Sequence, residues 1–151
     1  MLTTFWEPIK LSIIVTIAAG IIVVITGTLF GLLFAKKQFR GKILVETIFM
    51  LPLVLPPSVI GFLLIVIFGN QGVIGTWIKE IFGHSIIFTS YAAVIAATVV
   101  AFPLMFQTAK AGFQGVHRKF EEAAKDLGAT NFQVFLRVSL PLAKRALLTG
   151  T

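Results

Sequence analysis

Apolar positions in this chain fall in long continuous runs, without the alternation of a half-buried strand or the narrow stripe of a soluble helix. A membrane-spanning helix needs about 20 predominantly apolar residues, and three runs supply them, over residues 11–35, 43–68 and 86–109. A fourth begins at Ala146 and stops with the sequence at Thr151. Between the third and fourth runs the pattern changes. Phe113, Val116, Phe120, Ala123 or Ala124, and Leu127 recur at helical spacing opposite Gln114, His117, Arg118, Glu121, Glu122, Lys125 and Asp126, which predicts an amphipathic helix over 113–127. Gly128 is placed to end it, because glycine tolerates the left-handed backbone that commonly follows a helix. Thr130, followed three residues later by Gln133, predicts a capping box and a second short helix with Phe132, Phe135 and Leu136 on its apolar face. Pro141 disfavours helix at Leu140, so the expected unit is helix, glycine turn, helix and proline corner.

Prolines interrupt two of the runs. In Leu51-Pro52-Leu53-Val54-Leu55-Pro56-Pro57-Ser58, three backbone donors are missing and the ring atoms obstruct the preceding turns. Irregular backbone at membrane depth persists only where protein or a water-filled cavity satisfies the freed groups, so Pro52, Pro56, Pro57 and Ser58 are candidates to face a pathway. The alternative is a break at the cytoplasmic boundary, since residues 53–68 alone cover about 24 Å of helix. Pro103 is a second candidate break, and Gly27 with Gly31 forms a G-x-x-x-G close-packing pattern.

Composition fixes the class. With 57% hydrophobic and 13% charged residues in 151, the apolar positions exceed what a soluble core of this size can bury, so the expected fold is an all-α integral membrane protein in a lipid bilayer. The net charge of +7 is unevenly placed. Lys36, Lys37, Arg40 and Lys42 follow the first run, and Lys110, Arg118, Lys119, Lys125, Arg137, Lys144 and Arg145 follow the third. Positive residues in short loops accumulate on the cytoplasmic side, which orients the N-terminus and residues 69–85 outward and residues 110–145 inward. Trp6, Trp77 and Tyr91 then fall at the outer interface. Basic residues follow the first apolar run and do not precede it, and the run is too long for a secretory signal. No segment interleaves basic residues with stacking aromatics, so no nucleic-acid partner is expected.

Catalytic chemistry finds no constellation. Cysteine is absent, which removes thiolate metal sites and cysteine nucleophiles. Glu46 is the one acidic residue inside an apolar run, close enough to the inner boundary to reach water, whereas a proton-coupled carrier would need ionisable groups at depth. His84 and His117 fall on opposite sides of the expected topology and cannot share a metal. The glycine-rich Gly69-Asn70-Gln71-Gly72-Val73-Ile74-Gly75 lacks the Lys-Ser or Lys-Thr of a nucleotide loop and reads as a turn. The chain is therefore expected to be no enzyme and to bind no cofactor, and any ATP that drives it must be hydrolysed by a separate subunit.

The spacing Glu122-Ala123-Ala124, three residues, Gly128, nine residues, Val138, one residue, Leu140-Pro141 resembles the signature loop of permease subunits in binding-protein-dependent ABC importers. With the run Leu51 to Leu64 and the turn Gly69 to Gly75, nearly the whole chain looks like the permease of molybdate importers, with the sulfate and tungstate systems similar. That resemblance implies a type I ABC importer permease fold in the cell (cytoplasmic, inner) membrane. It implies a homodimer, each copy docked on a cytoplasmic ABC ATPase and supplied by an extracytoplasmic oxyanion-binding protein. Glu121, Glu122, Ala123, Ala124, Gly128, Leu140 and Pro141 would couple to the ATPase. Such permeases continue past this loop with further spans, so the expected fold is C-terminally incomplete: three spans, the coupling loop and the start of a fourth. A fragment that binds partners without transporting, or an unrelated small channel or scaffold, are the alternative readings.

Overall fold

The computed structural model describes residues 2–69, 71–82 and 89–150. Its regular structure among these residues is entirely helical. Helix α1, Leu2–Lys36, has 35 residues, about 52 Å of helix, and so exceeds a hydrocarbon core of about 30 Å. Its flanks expose Ile13, Ile17, Ile21, Ile25 and Leu29, as expected of a surface covered by acyl chains.

The second apolar run is not one helix. It folds as α2, Lys42–Val54, and α3, Pro57–Phe68, bent by 116° across Leu55-Pro56. Pro57 occupies the start of α3, where a missing donor costs nothing, and Pro56 takes extended backbone before it. Pro52 lies inside α2. At 13 and 12 residues, about 20 and 18 Å, neither half crosses a bilayer alone. The described chain thus has two continuous spans, Trp6–Lys36 and Ser90–Gln114, and residues 43–68 add a third only as the bent pair.

Helix α4, Val73–Phe82, replaces part of the expected turn, which shrinks to the residues just before Val73. Gly72 and Gly75 are buried against the carbonyls of Val66, Ile67, Phe68 and Gly69, leaving no room for a Cβ at either position. Trp77 and Ile81 project from α4 into the surroundings. Residues 83–88, with His84 and the start of the third run, lie outside the described residues. Helix α5, Ser90–Gln114, continues past the buried Pro103. Helices α6, Arg118–Asp126, α7, Asn131–Val134, and α8, Leu140–Gly150, complete the order, with a π-helical turn, Phe135–Ser139, joining the last two.

These elements form two compact units, Met1–Ile22 with Ile48–Ala101, and Val23–Thr47 with Phe102–Thr151. In the first, Leu11, Gly61, Leu64, Phe68, Ser90 and Ala93 help line an open apolar cavity of about 540 Å³. In the second, α1 and α5 meet at the G-x-x-x-G pair. A Cβ on Gly27 would stand 2.6 Å from Met105 Cγ, and one on Gly31 2.6 Å from Ala109 Cβ. Val23, Met105, Ala109, Phe113 and Ala143 form the core there. Phe34 packs edge-on against both Phe39 and Phe106.

This close approach has a direct test. Gly27→Val and Gly31→Val should each destabilise the protein by about 1–3 kcal/mol through overpacking. Gly20→Ala, with nothing within 4 Å of the new Cβ, should be neutral or gain up to about 1 kcal/mol of helix propensity. Thermal unfolding midpoints in detergent would show the contrast.

Candidate functional site

The segment after α5 departs from the single amphipathic helix expected over 113–127. The chain leaves the helix at Gly115 and re-enters it at Arg118, with His117 extended as the N-terminal flanking residue. The two halves of the expected apolar stripe have different surroundings. Phe113 is buried in the core and Val116 packs beside it, whereas Phe120 and Leu127 are 57% and 89% exposed. A straight helix would keep them on one face; the turn at Gly115, a poor helix former, separates them.

The end of α6 follows the sequence expectation closely. Gly128 has φ +86°, its N–H donates to Lys125 O at 2.8 Å, and Ala129 N–H donates to Ala124 O at 3.0 Å, which is the paired bonding of a Schellman cap. The capping box also forms: Gln133 N–H donates to Thr130 Oγ1 at 3.3 Å, and Thr130 N–H to Gln133 Oε1 at 2.9 Å. The expected face of α7 does not. Phe132 and Leu136 are exposed, Phe135 is half-buried against the core, and Val134 takes the buried position.

Pro141 makes no corner. The helix runs through it because the preceding turn is widened, with Leu140 N–H bonding back five residues to Phe135 O. In a tight α-helix the proline ring would collide with the carbonyl four residues earlier; a π turn relieves such crowding. The wide turn also changes register. Val134, Ser139 and Ala143 are the buried positions of this segment, spaced five and then four. An unbroken α-helix would turn Val138 inward in place of Ser139.

Ser139, fully buried, meets Glu121 and Lys36 there. Lys36 Nζ lies 2.6 Å from Glu121 Oε1, Ser139 Oγ donates to the same oxygen at 2.5 Å, and Lys36 Nζ donates to Ser139 Oγ at 3.2 Å. Glu121, expected on the charged outer face of the loop, is therefore turned inward. Burial alone would raise its carboxyl; hydrogen bonds from Lys36 and Ser139, with the charges of Lys36 and Lys125, outweigh that and hold it below the ordinary carboxylate value. Charge-assisted bonds of this kind contribute about 1.5–3 kcal/mol, here at the low end because water reaches Lys36.

Glu122 has the opposite setting. It is exposed and pairs with Arg118 one turn earlier at 2.9 Å, a surface pair worth about 0.3–0.5 kcal/mol. Ala123, Gly128 and Pro141 are also exposed, Ala124 is half-buried, and Leu140 packs on the core. Glu46 and Lys110 form a separate ion pair at 2.7 Å, off the direction of a well-formed hydrogen bond. Among the described residues no group of acidic and histidine side chains could hold a metal ion. Pro56, Pro57 and Ser58 are exposed and Pro52 is half-buried, and neither these four candidates nor Pro103, the second candidate break, is among the described residues lining the 540 Å³ cavity.

The family model of the binding-protein-dependent transport system inner membrane component matches residues 27–151, which includes every residue of this loop. The chain belongs to that family. Among curated relatives it is 52% identical over 147 residues to a putative molybdenum transport system permease protein, YvgM, of Bacillus subtilis (strain 168), covering 97% of this chain and 65% of the relative. It is 38% identical over 146 residues to the molybdenum transport system permease protein ModB of Escherichia coli (strain K12), covering 97% and 64%. A molybdate/tungstate transport system permease protein, WtpB, of Pyrococcus abyssi is 34% identical over 145 residues, covering 95% and 52%. The chain thus spans just under two thirds of the length of the first two relatives. Its fold is the type I ABC permease fold, in a multi-pass membrane protein.

The Glu121 environment sets a pH dependence. A carboxyl depressed below about 4.5 on folding contributes stability that is complete above that value and is lost as pH falls through the folded value. The thermal midpoint should therefore show an acid limb beginning below about pH 4.5 that is diminished in Glu121→Gln. An identical limb in both proteins would refute this assignment.

Proposed function

We propose that the chain serves in the permease subunit of an ATP-driven importer that moves an oxyanion, molybdate first, across the cytoplasmic membrane, with the loop from Arg118 to Pro141 docking on a separate ATPase. Copies act as a homodimer fed by an extracytoplasmic oxyanion-binding protein, with the N-terminus outside and the loop in the cytoplasm. The observation that carries this reading is the division of labour between adjacent glutamates. Glu121 is held inside, while Glu122 stands exposed beside Ala123 on a helix that also presents Phe120 and Leu127 to its surroundings. Phe120, Ala123 and Leu127 recur at helical spacing, so one small residue between two large apolar ones offers a partner a close-fitting surface. The weak pair with Arg118 lets Glu122 exchange it for a cation on the partner at little cost. ATP binding then biases the permease because the docked interface differs between its two conformations. High affinity for the oxyanion resides in the binding protein, which agrees with the apolar lining of the cavity in the first unit.

Tungstate and sulfate are the competing cargoes, since all three are tetrahedral dianions. Uptake of labelled molybdate into vesicles carrying permease, ATPase and binding protein, with the three oxyanions in competition, discriminates among them. Glu122→Lys places like charge against the partner's cation and should lower ATPase co-purification by about tenfold or more, as loss of a buried interfacial charge pair does. Gly128→Asp strains the left-handed cap and should act in the same direction. ATPase association and uptake unchanged in both variants would favour an unrelated channel or scaffold, and association without any uptake would favour a non-transporting partner-binding subunit.

A further inference from the structure

We propose that the Lys36–Glu121–Ser139 cluster is the link that carries movement of α6 to the cytoplasmic end of α1, making Glu121 a positioning residue for coupling and removing it from the docking surface. The inference rests on the importer reading above. No residue of α6 is fully buried, and Ala124 is its only half-buried apolar residue, so the helix has little apolar anchoring of its own. It is flanked by Gly115 on one side and Gly128 on the other, and a Cβ at either would meet nothing closer than 3.5 Å. A short helix between two glycine turns swings on them unless something ties it. Glu121 supplies the tie, reaching at 2.6 Å the last residue of α1 and at 2.5 Å a hydroxyl at the end of the π turn.

The partners come from distant parts of the chain, with Lys36 and Ser139 separated by 103 residues, so the cluster joins elements that the backbone does not. The π turn is what brings it together. The five-residue step from Val134 to Ser139 puts a hydroxyl at the buried position that an α-helical register would give to Val138. Ser139 can then accept from Lys36 while donating to Glu121, and all three groups are satisfied together. Since α1 is continuous from Leu2 to Lys36, displacement of its last residue is displacement of a spanning helix. A partner that moves α6 therefore moves α1 through this ion pair.

The test uses the full-length permease in lipid nanodiscs and in vesicles with its ATPase and binding protein. In Lys36→Met, amide exchange of residues 118–126 should accelerate by about tenfold, the loss expected for one charge-assisted bond, while residues 102–109 stay unchanged. ATP hydrolysed per oxyanion imported should rise by about fivefold or more. Ser139→Ala should act in the same direction. The exchanged pair, Lys36→Glu with Glu121→Lys, should restore both readouts towards those of the unaltered protein. Unchanged exchange in Lys36→Met, or an unchanged ATP-to-oxyanion ratio in a complex that transports, would overturn the proposal. So would an exchanged pair that recovers neither. If the unaltered complex imports no oxyanion, the importer reading fails by itself, and the exchange measurement still decides whether the cluster holds α6.

Discussion

The second unit depends on how closely α1 can approach α5. Within a bilayer, lipid tails are as apolar as leucine, so helices associate through packing contact and polar pairs and gain little from burial alone. Gly27 and Gly31 remove the side chains that would keep the two helices apart, and Met105 and Ala109 fill the space. That crossing places the core of Val23, Met105, Ala109, Phe113 and Ala143, and it carries α1 onward to Lys36 at the edge of the loop. The loop is built against this end of α1, through the contacts of Lys36 with Glu121 and Ser139.

The loop itself combines two kinds of constraint. Backbone devices set its shape: a left-handed glycine at 128, a capping box at Thr130 and Gln133, and a widened turn that accommodates Pro141. Electrostatics sets its position, since a partly desolvated carboxylate persists only where cations and donors compensate it. Glu121 finds Lys36 and Ser139; Glu122, one residue on, points the other way and finds only surface chemistry. Adjacent residues on a helix lie about 100° apart, which is enough to assign one to the interior and the other to the surface.

Much of this was legible in the sequence. The long apolar runs, the proline break near residue 56, the glycine crossing, the Gly128 cap and the capping box all follow from local rules that each residue obeys regardless of distant contacts. Four features were not. Helix α4 hid because its short apolar pattern follows directly on a glycine-rich turn. The break at Gly115 hid because Phe113 and Leu127 fit one helical stripe, and only packing shows that one belongs to the core and the other does not. The π turn hid because Pro141 argues locally for a stop, while the register that buries Ser139 is a tertiary demand. The inward face of Glu121 hid for the same reason: its partners lie 85 residues before it in one case and 18 residues after it in the other.

The family relation and the geometry agree on a helical membrane protein that carries the loop from Arg118 to Pro141 beside the end of α1. The most direct measurement is a structure of the permease in complex with the ATPase that the proposed function assigns to it. The account predicts that Glu122, Ala123 and Leu127 are covered by the partner while Glu121 keeps its contacts to Lys36 and Ser139. A complex in which Glu121 turns out to meet the ATPase, or in which the loop touches no partner, would contradict it.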